Sequence, residues 1–157
     1  MYPNYDRIAA RDYARRYTSN VPFTAVYKYD CGANLNVYRD QTKWNSNYPK
    51  YCHSDCANFV SQCLEAGGLP RDATWAPGKS AWISVSAMET YMLNKGYWKE
   101  SDFQTAVAGA VIRMPSHIVM ISQNDTVTRT RCGHTNDVKD LPYTSSDAGK
   151  WVFYTLW

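Results

Sequence analysis

Apolar residues recur at helical spacing in three places along this chain and then give way to short β-prone runs. Between Asn4 and Tyr17, Ile8, Ala9, Tyr13 and Tyr17 share one helix face, while Arg7, Arg11, Arg15 and Arg16 fall on the other. Asn4 is placed to cap this helix, and Asp12 has Arg15 and Arg16 at i+3 and i+4. A second stripe, Phe59, Val60, Cys63 and Leu64, follows Cys56 and stops at Gly67-Gly68, with Ser54 or Asp55 as the cap. A third helix is expected over Ser84 to Asn94, burying Val85, Met88, Tyr91 and Met92; Ser86 and Glu89 have capping-box spacing that would start it slightly later. Residues 18–53 keep no period and read as a long irregular connection, and Leu69 to Ser80 reads as a loop. Four β-prone runs complete the chain: Ala108 to Met114, Ile118 to Ser122, Thr126 to Arg131 and Trp151 to Leu156. Asn124-Asp125 joins the middle two as a tight hairpin. Helices first and an antiparallel sheet afterwards describe one α+β domain over 1–157.

Composition narrows the function. The chain has 157 residues and a net charge of +3, enough length for a core without disulfides. No run or helix face concentrates Lys and Arg, so a nucleic-acid binder is not expected. A weak preference for a polyanionic surface such as a bacterial wall fits the charge. Thirteen Tyr and six Trp supply rings that fill a small core or line a groove. No apolar run is long enough to span a membrane. Met1 leads straight into polar sequence without a leader, which suggests a product released by other means, such as a phage lysin, or an excised domain.

Five cysteines, Cys31, Cys52, Cys56, Cys63 and Cys132, are an odd number. One free nucleophile plus two disulfides would account for them, with three pairings open among the other four; the apolar position of Cys63 favours a buried thiol there. A zinc site from Cys52, His53 and Cys56 lacks a second ligand pair at a familiar spacing, and no metal or cofactor is expected. Cys56 falls in the first turn of its helix, where free N–H groups and the helix dipole favour a thiolate and should lower its pKa. His117, at the mouth of the apolar strand that follows Pro115-Ser116, is the candidate base. His134 is the candidate third group, with Asn136 and Asp137 as rivals; His53 lies too close in sequence to Cys56 to reach it from across a cleft.

The run Asp55-Cys56-Ala57-Asn58-Phe59-Val60-Ser61-Gln62-Cys63-Leu64-Glu65-Ala66-Gly67-Gly68 closely resembles the D-C-[TS]-N-F-V-S-Q-x-L-x-A-G-G motif of an amidase domain family related to NlpC/P60 and papain-like cysteine hydrolases. Further matches are Tyr5-Asp6-Arg7-Ile8-Ala9-Ala10, Tyr13-Ala14, Ser80-Ala81-Trp82, Ser116-His117 and His134-Thr135, so the resemblance covers nearly the whole length. It implies a papain-like α+β fold with a nucleophile-bearing helix packed on a short antiparallel sheet. It also implies hydrolysis of amide bonds, most often in peptidoglycan, with Cys56 as nucleophile, His117 as base and His134 as third residue. Ala57 departs from the family's hydroxyl residue, and Gly109-Ala110 from its Gly-Asp.

The expected function is therefore cysteine-dependent cleavage of a wall amide by a monomer acting outside the cell. The Cys56 N–H would stabilise the oxyanion, with a second donor near Asn47, Tyr48 or Tyr51. The alternatives are a papain-like acyltransferase or effector hydrolase acting on a non-wall amide, and an inactive aromatic-rich module that binds glycan or peptide.

Overall fold

A computed structural model describes residues 2–20, 43–51, 54–135 and 137–157. Four helices, α1 (Arg7–Arg16), α2 (Cys56–Ala66), α3 (Ser80–Ile83) and α4 (Val85–Asn94), precede six strands. The strands are β1 (Lys99–Ser101), β2 (Val111–Met114), β3 (His117–Asn124), β4 (Arg129–Gly133), β5 (Val138–Pro142) and β6 (Val152–Thr155). They form one sheet in the order β1-β6-β2-β3-β4-β5, every neighbouring pair antiparallel. The α+β expectation holds.

Helix α2 is the centre of the molecule. Every residue from Cys56 to Leu64 is buried, so its polar side chains need internal partners. Asn58 donates to the carbonyl of Pro49 and to Asp55, and accepts from the Trp82 indole at 2.9 Å. Ser61 donates to the Trp82 carbonyl and accepts from the Trp75 indole. Gln62 accepts from the Tyr13 hydroxyl at 2.6 Å. Apart from the one to Asp55, the cap residue of α2 itself, each bond ties a loop or neighbouring helix to α2. At its far end Gly67 lies against Tyr5, whose ring would meet a Cβ at 2.4 Å, so no larger residue fits.

The two faces of the sheet do different work. Strand residues Val111, Ile118, Met120, Cys132 and Tyr154 join the helices in the main core. Ile112, Met114, Val119, Ile121 and Phe153 face the other way, covered by Ala106, Ala110 and Tyr143. This is the strict two-residue alternation of a strand buried on both sides.

Several local expectations shift. Helix α1 is capped by Asp6, which accepts from the amides of Ile8 and Ala9, in place of Asn4. It buries Ala10 and Ala14 and leaves Ile8 39% exposed, one position off the predicted stripe. The arginines take part in packing: Arg7 and Arg11 donate to the carbonyls of Ala108 and Ser122, and Arg15 pairs with Asp140. Asp12 is therefore left to Arg11. The third predicted helix stands as α4, but Glu89 turns to Tyr154 and Arg113 and makes no capping box. Strands β1 and β5 and the short α3 lie outside the predicted elements. The β3–β4 turn is wider than a two-residue hairpin, because Asp125 folds back to accept from Val127 and Thr128. Cys63 and Cys132 are buried free thiols, like Cys56, so the two-disulfide sum fails; Cys31, Cys52 and His53 lie outside the described residues.

Gly109 joins the N-terminal segment to the sheet. Its φ is +90°, and a Cβ there would meet the Arg7 carbonyl at 2.4 Å, while its own carbonyl accepts from the Tyr5 hydroxyl at 2.8 Å. Gly109→Ala adds a left-handed backbone penalty to that clash, and should lower unfolding free energy by about 2 kcal/mol or more. Urea denaturation monitored by tryptophan fluorescence measures this.

Candidate active site

Cys56 opens α2, 5% exposed, on the floor of a cleft of about 530 Å³ lined by Ser54, Ser84, Ser86, Arg113, Pro115 and Ser116. The backbone N–H groups of Ile118, Ala57 and Cys56 itself favour the thiolate. Burial nevertheless dominates: it pushes the thiol above its ordinary value, and these three amides offset only part of the rise. The sequence expectation of a lowered pKa is overturned, because the same packing that places the sulfur at the helix start also strips it of water.

Asp55 holds the helix start in an unexpected way. It occupies the cap position without a side-chain cap bond. Its Oδ1 accepts instead from the Tyr51 amide and from Asn58, and its Oδ2 meets His134 Nδ1 at 2.6 Å. Its own N–H donates to the Thr135 hydroxyl at 2.8 Å. The other ring nitrogen of His134 lies 2.6 Å from the Tyr17 carbonyl oxygen. A carbonyl and a carboxylate can only accept, so the arrangement is satisfied when both nitrogens carry protons. Burial pulls the ring toward neutrality, but the bond to Asp55, the nearby Asp137 and the Tyr17 carbonyl outweigh it, and the net shift is upward. The ring also stacks on Phe59 with centroids 4.0 Å apart.

His117 sits elsewhere. It pairs with Met114 across the β2–β3 hairpin and shares the Met114, Val119 and Ile121 side of the sheet. Its Nε2 lies 3.9 Å from where a Cβ on Gly133 would stand. Burial and the Arg131 charge hold its pKa down to about 4. Its chain neighbour Ser116 lies in the cleft wall and the Ile118 amide favours the Cys56 thiolate, but the ring is on the face of the sheet turned away from α2. The structure thus brings Cys56, Asp55 and His134 to the helix side and sets His117 on the opposite face. His134, with both nitrogens taken by Asp55 and Tyr17, has none left to orient His117.

The remaining candidates scatter. Tyr48 donates to Glu65 at 2.6 Å. That is the far end of α2, nine residues or about 13 Å along the helix from Cys56, too far for an oxyanion donor. The Tyr51 amide is engaged by Asp55, and Asn47 is exposed with its amide on Asn45. Asp137 acts on His134 through its charge, and Asn136 lies outside the described residues. Sequence reasoning missed Asp55 as partner of His134, and it missed Arg113, held by Glu89 at 3.3 Å. An arginine inside the otherwise apolar strand Val111–Met114 was the available signal.

A family model described as "Putative amidase domain" matches residues 4–157, and the chain belongs to that family. Amide hydrolysis is the activity this assigns. The chain is also 44% identical over 54 residues to the uncharacterized protein YjcM of Bacillus subtilis, covering 34% of this chain and 13% of that protein. It is 34% identical over 96 residues to the uncharacterized YhbB of the same organism, covering 53% and 30%. The chain therefore spans less than a third of either relative. No solved structure matches.

Two opposed pH dependences follow. His134 has a folded pKa above that of the free ring, about 6.5, so its contribution to stability is complete below pH 6.5 and fades as pH rises through the folded value. His117, near 4 when folded, contributes above pH 6.5, and that stability is lost as pH falls toward 4. His134→Asn should flatten the alkaline side of a Tm-against-pH profile and His117→Asn the acid side. His134→Ala leaves the Asp55 carboxyl buried without its partner and should cost about 3–5 kcal/mol.

Proposed function

We propose that this domain is a cysteine amidase acting on bacterial peptidoglycan outside the cell, related in mechanism to NlpC/P60 and papain-like hydrolases. The observation that carries it is Cys56 at the start of α2, lining a polar cleft, in a chain of the amidase family. Cys56 attacks the carbonyl carbon, and its proton passes through a histidine to the departing amine. The C–N bond breaks to leave a thioester, and water then releases the acid and restores the thiol. The Cys56 N–H stabilises the oxyanion.

His117 is the proposed base. It is neutral at pH 7, and it stands between Ser116, a cleft residue, and Ile118, whose amide favours the thiolate. It is also the last pair of a hairpin whose turn carries Ser116 at φ 60°. Proton transfer requires that hairpin tip to carry the ring over the end of the sheet. The orientation of His117 away from α2 also favours a second reading, a wall-binding module without chemistry.

Cys56→Ala should abolish release of fragments from purified wall, by about 10³-fold or more, and His117→Ala should lower it about 10²-fold or more. Mass spectrometry of the muropeptides identifies the bond. Iodoacetamide should label Cys56 ahead of the buried Cys63 and Cys132, faster as pH rises. Wall binding by the parent with no fragments released and an inert Cys56 would establish the second reading instead.

A further inference from the structure

A second cavity, about 850 Å³, adjoins the Cys56 cleft. Ser86, in the first turn of α4, lines both, so the two open onto the same stretch of surface. The second is walled by α4 through Thr90, Tyr91 and Asn94, and by the preceding loop through Asp72, Thr74 and Lys79.

Its walls are preformed. Asp72 accepts from the amides of Thr74 and Trp75, both at 2.8 Å, and from the Tyr91 hydroxyl at 2.6 Å. It also faces Lys95 at 3.5 Å. These bonds hold the loop against α4 through the chain's own contacts.

The lining chemistry names the ligand class. The rim offers hydroxyls and one amide for hydrogen bonds, and two ammonium groups, Lys79 and Lys95, against one carboxylate, Asp72. Asp72 is already committed to Lys95 and Tyr91. Lys79, exposed at the rim, forms no ion pair with any described residue. The charges at the rim favour an anionic ligand over a cationic one, and Ala73, Ala81 and Ala87 give it apolar wall to lie against.

We infer that this groove is a substrate subsite in which a carboxylate-bearing peptide arm of the wall polymer, running from the amide held over Cys56 past Ser86, places its anionic group against Lys79. The inference rests on the reading of Cys56 as a wall amidase.

The test uses the full chain carrying Cys56→Ala, so that bound material is not consumed, and soluble muropeptides prepared by glycan digestion of purified wall. Adding Lys79→Glu should raise Kd about fivefold, the scale of one partly solvated charge pair. Lys99→Glu, on β1, should leave it unchanged. Muropeptides whose carboxyls have been converted to amides should bind equally well with and without Lys79→Glu. Circular dichroism checks that Lys79→Glu, an exposed change, keeps the fold. Equal affinities for the unmodified muropeptides with and without Lys79→Glu overturn the subsite, while Cys56-dependent wall digestion keeps the amidase reading. Loss of both wall digestion by the parent and muropeptide binding by Cys56→Ala overturns the amidase reading, and the subsite with it.

Discussion

The buried contact between Asp55 and His134 constrains the chain at three places that are far apart in sequence. Its ring bonds reach the end of α1 through the Tyr17 carbonyl and the start of α2 through Asp55, while His134 itself follows β4. The Thr135 hydroxyl adds a bond to the Asp55 amide, and Asp55 in turn collects Tyr51 and Asn58. Removing such charged groups from water is costly, and the cost is offset only when every polar atom is matched. Here the matching partners come from four segments, so the contact forms only when all four are in register. Cys56 is the next residue along, and its position follows from this junction.

The same logic explains why the motif around the cysteine is long. Asn58, Ser61 and Gln62 could be taken for substrate-binding groups, yet all three are buried and engaged by Pro49, Trp75, Trp82 and Tyr13. They fasten the surrounding segments to a helix with no solvent face along most of its length. The candidate site and the architecture are therefore entangled in one run of residues, with Cys56 alone opening on the cleft.

That entanglement decides what could be read from the sequence. The α+β order, the two long helices after Cys56 and Ser84, and four of the strands were legible because apolar periodicity reflects burial directly. Strand β1, Lys99–Ser101, and strand β5, Val138–Pro142, were not, since edge strands with no fully buried side chain show no apolar alternation. The α1 stripe was misplaced by one position because small alanines, and not the larger Ile8, fit against α2. The position of Cys56 in the first turn of its helix was legible from its motif. The sidedness of His117 was not, because alternation fixes a face only relative to its strand neighbours. Which face meets the helix depends on how the whole sheet docks, and Ile118 and Met120 took that side.

The two pKa shifts at the candidate site share this origin. Burial pushes the Cys56 thiol up, while burial and Arg131 push the His117 ring down, so both groups are neutral at pH 7 when held on opposite faces. A thiolate–imidazolium pair is favoured only when the two are close enough for each charge to stabilise the other. Bringing the ring over the hairpin end would take it from the cation of Arg131 toward the sulfur, raising the one pKa and lowering the other together. Separation and neutrality thus go together in this structure, and the proposed proton transfer would need the Pro115-Ser116 turn to move.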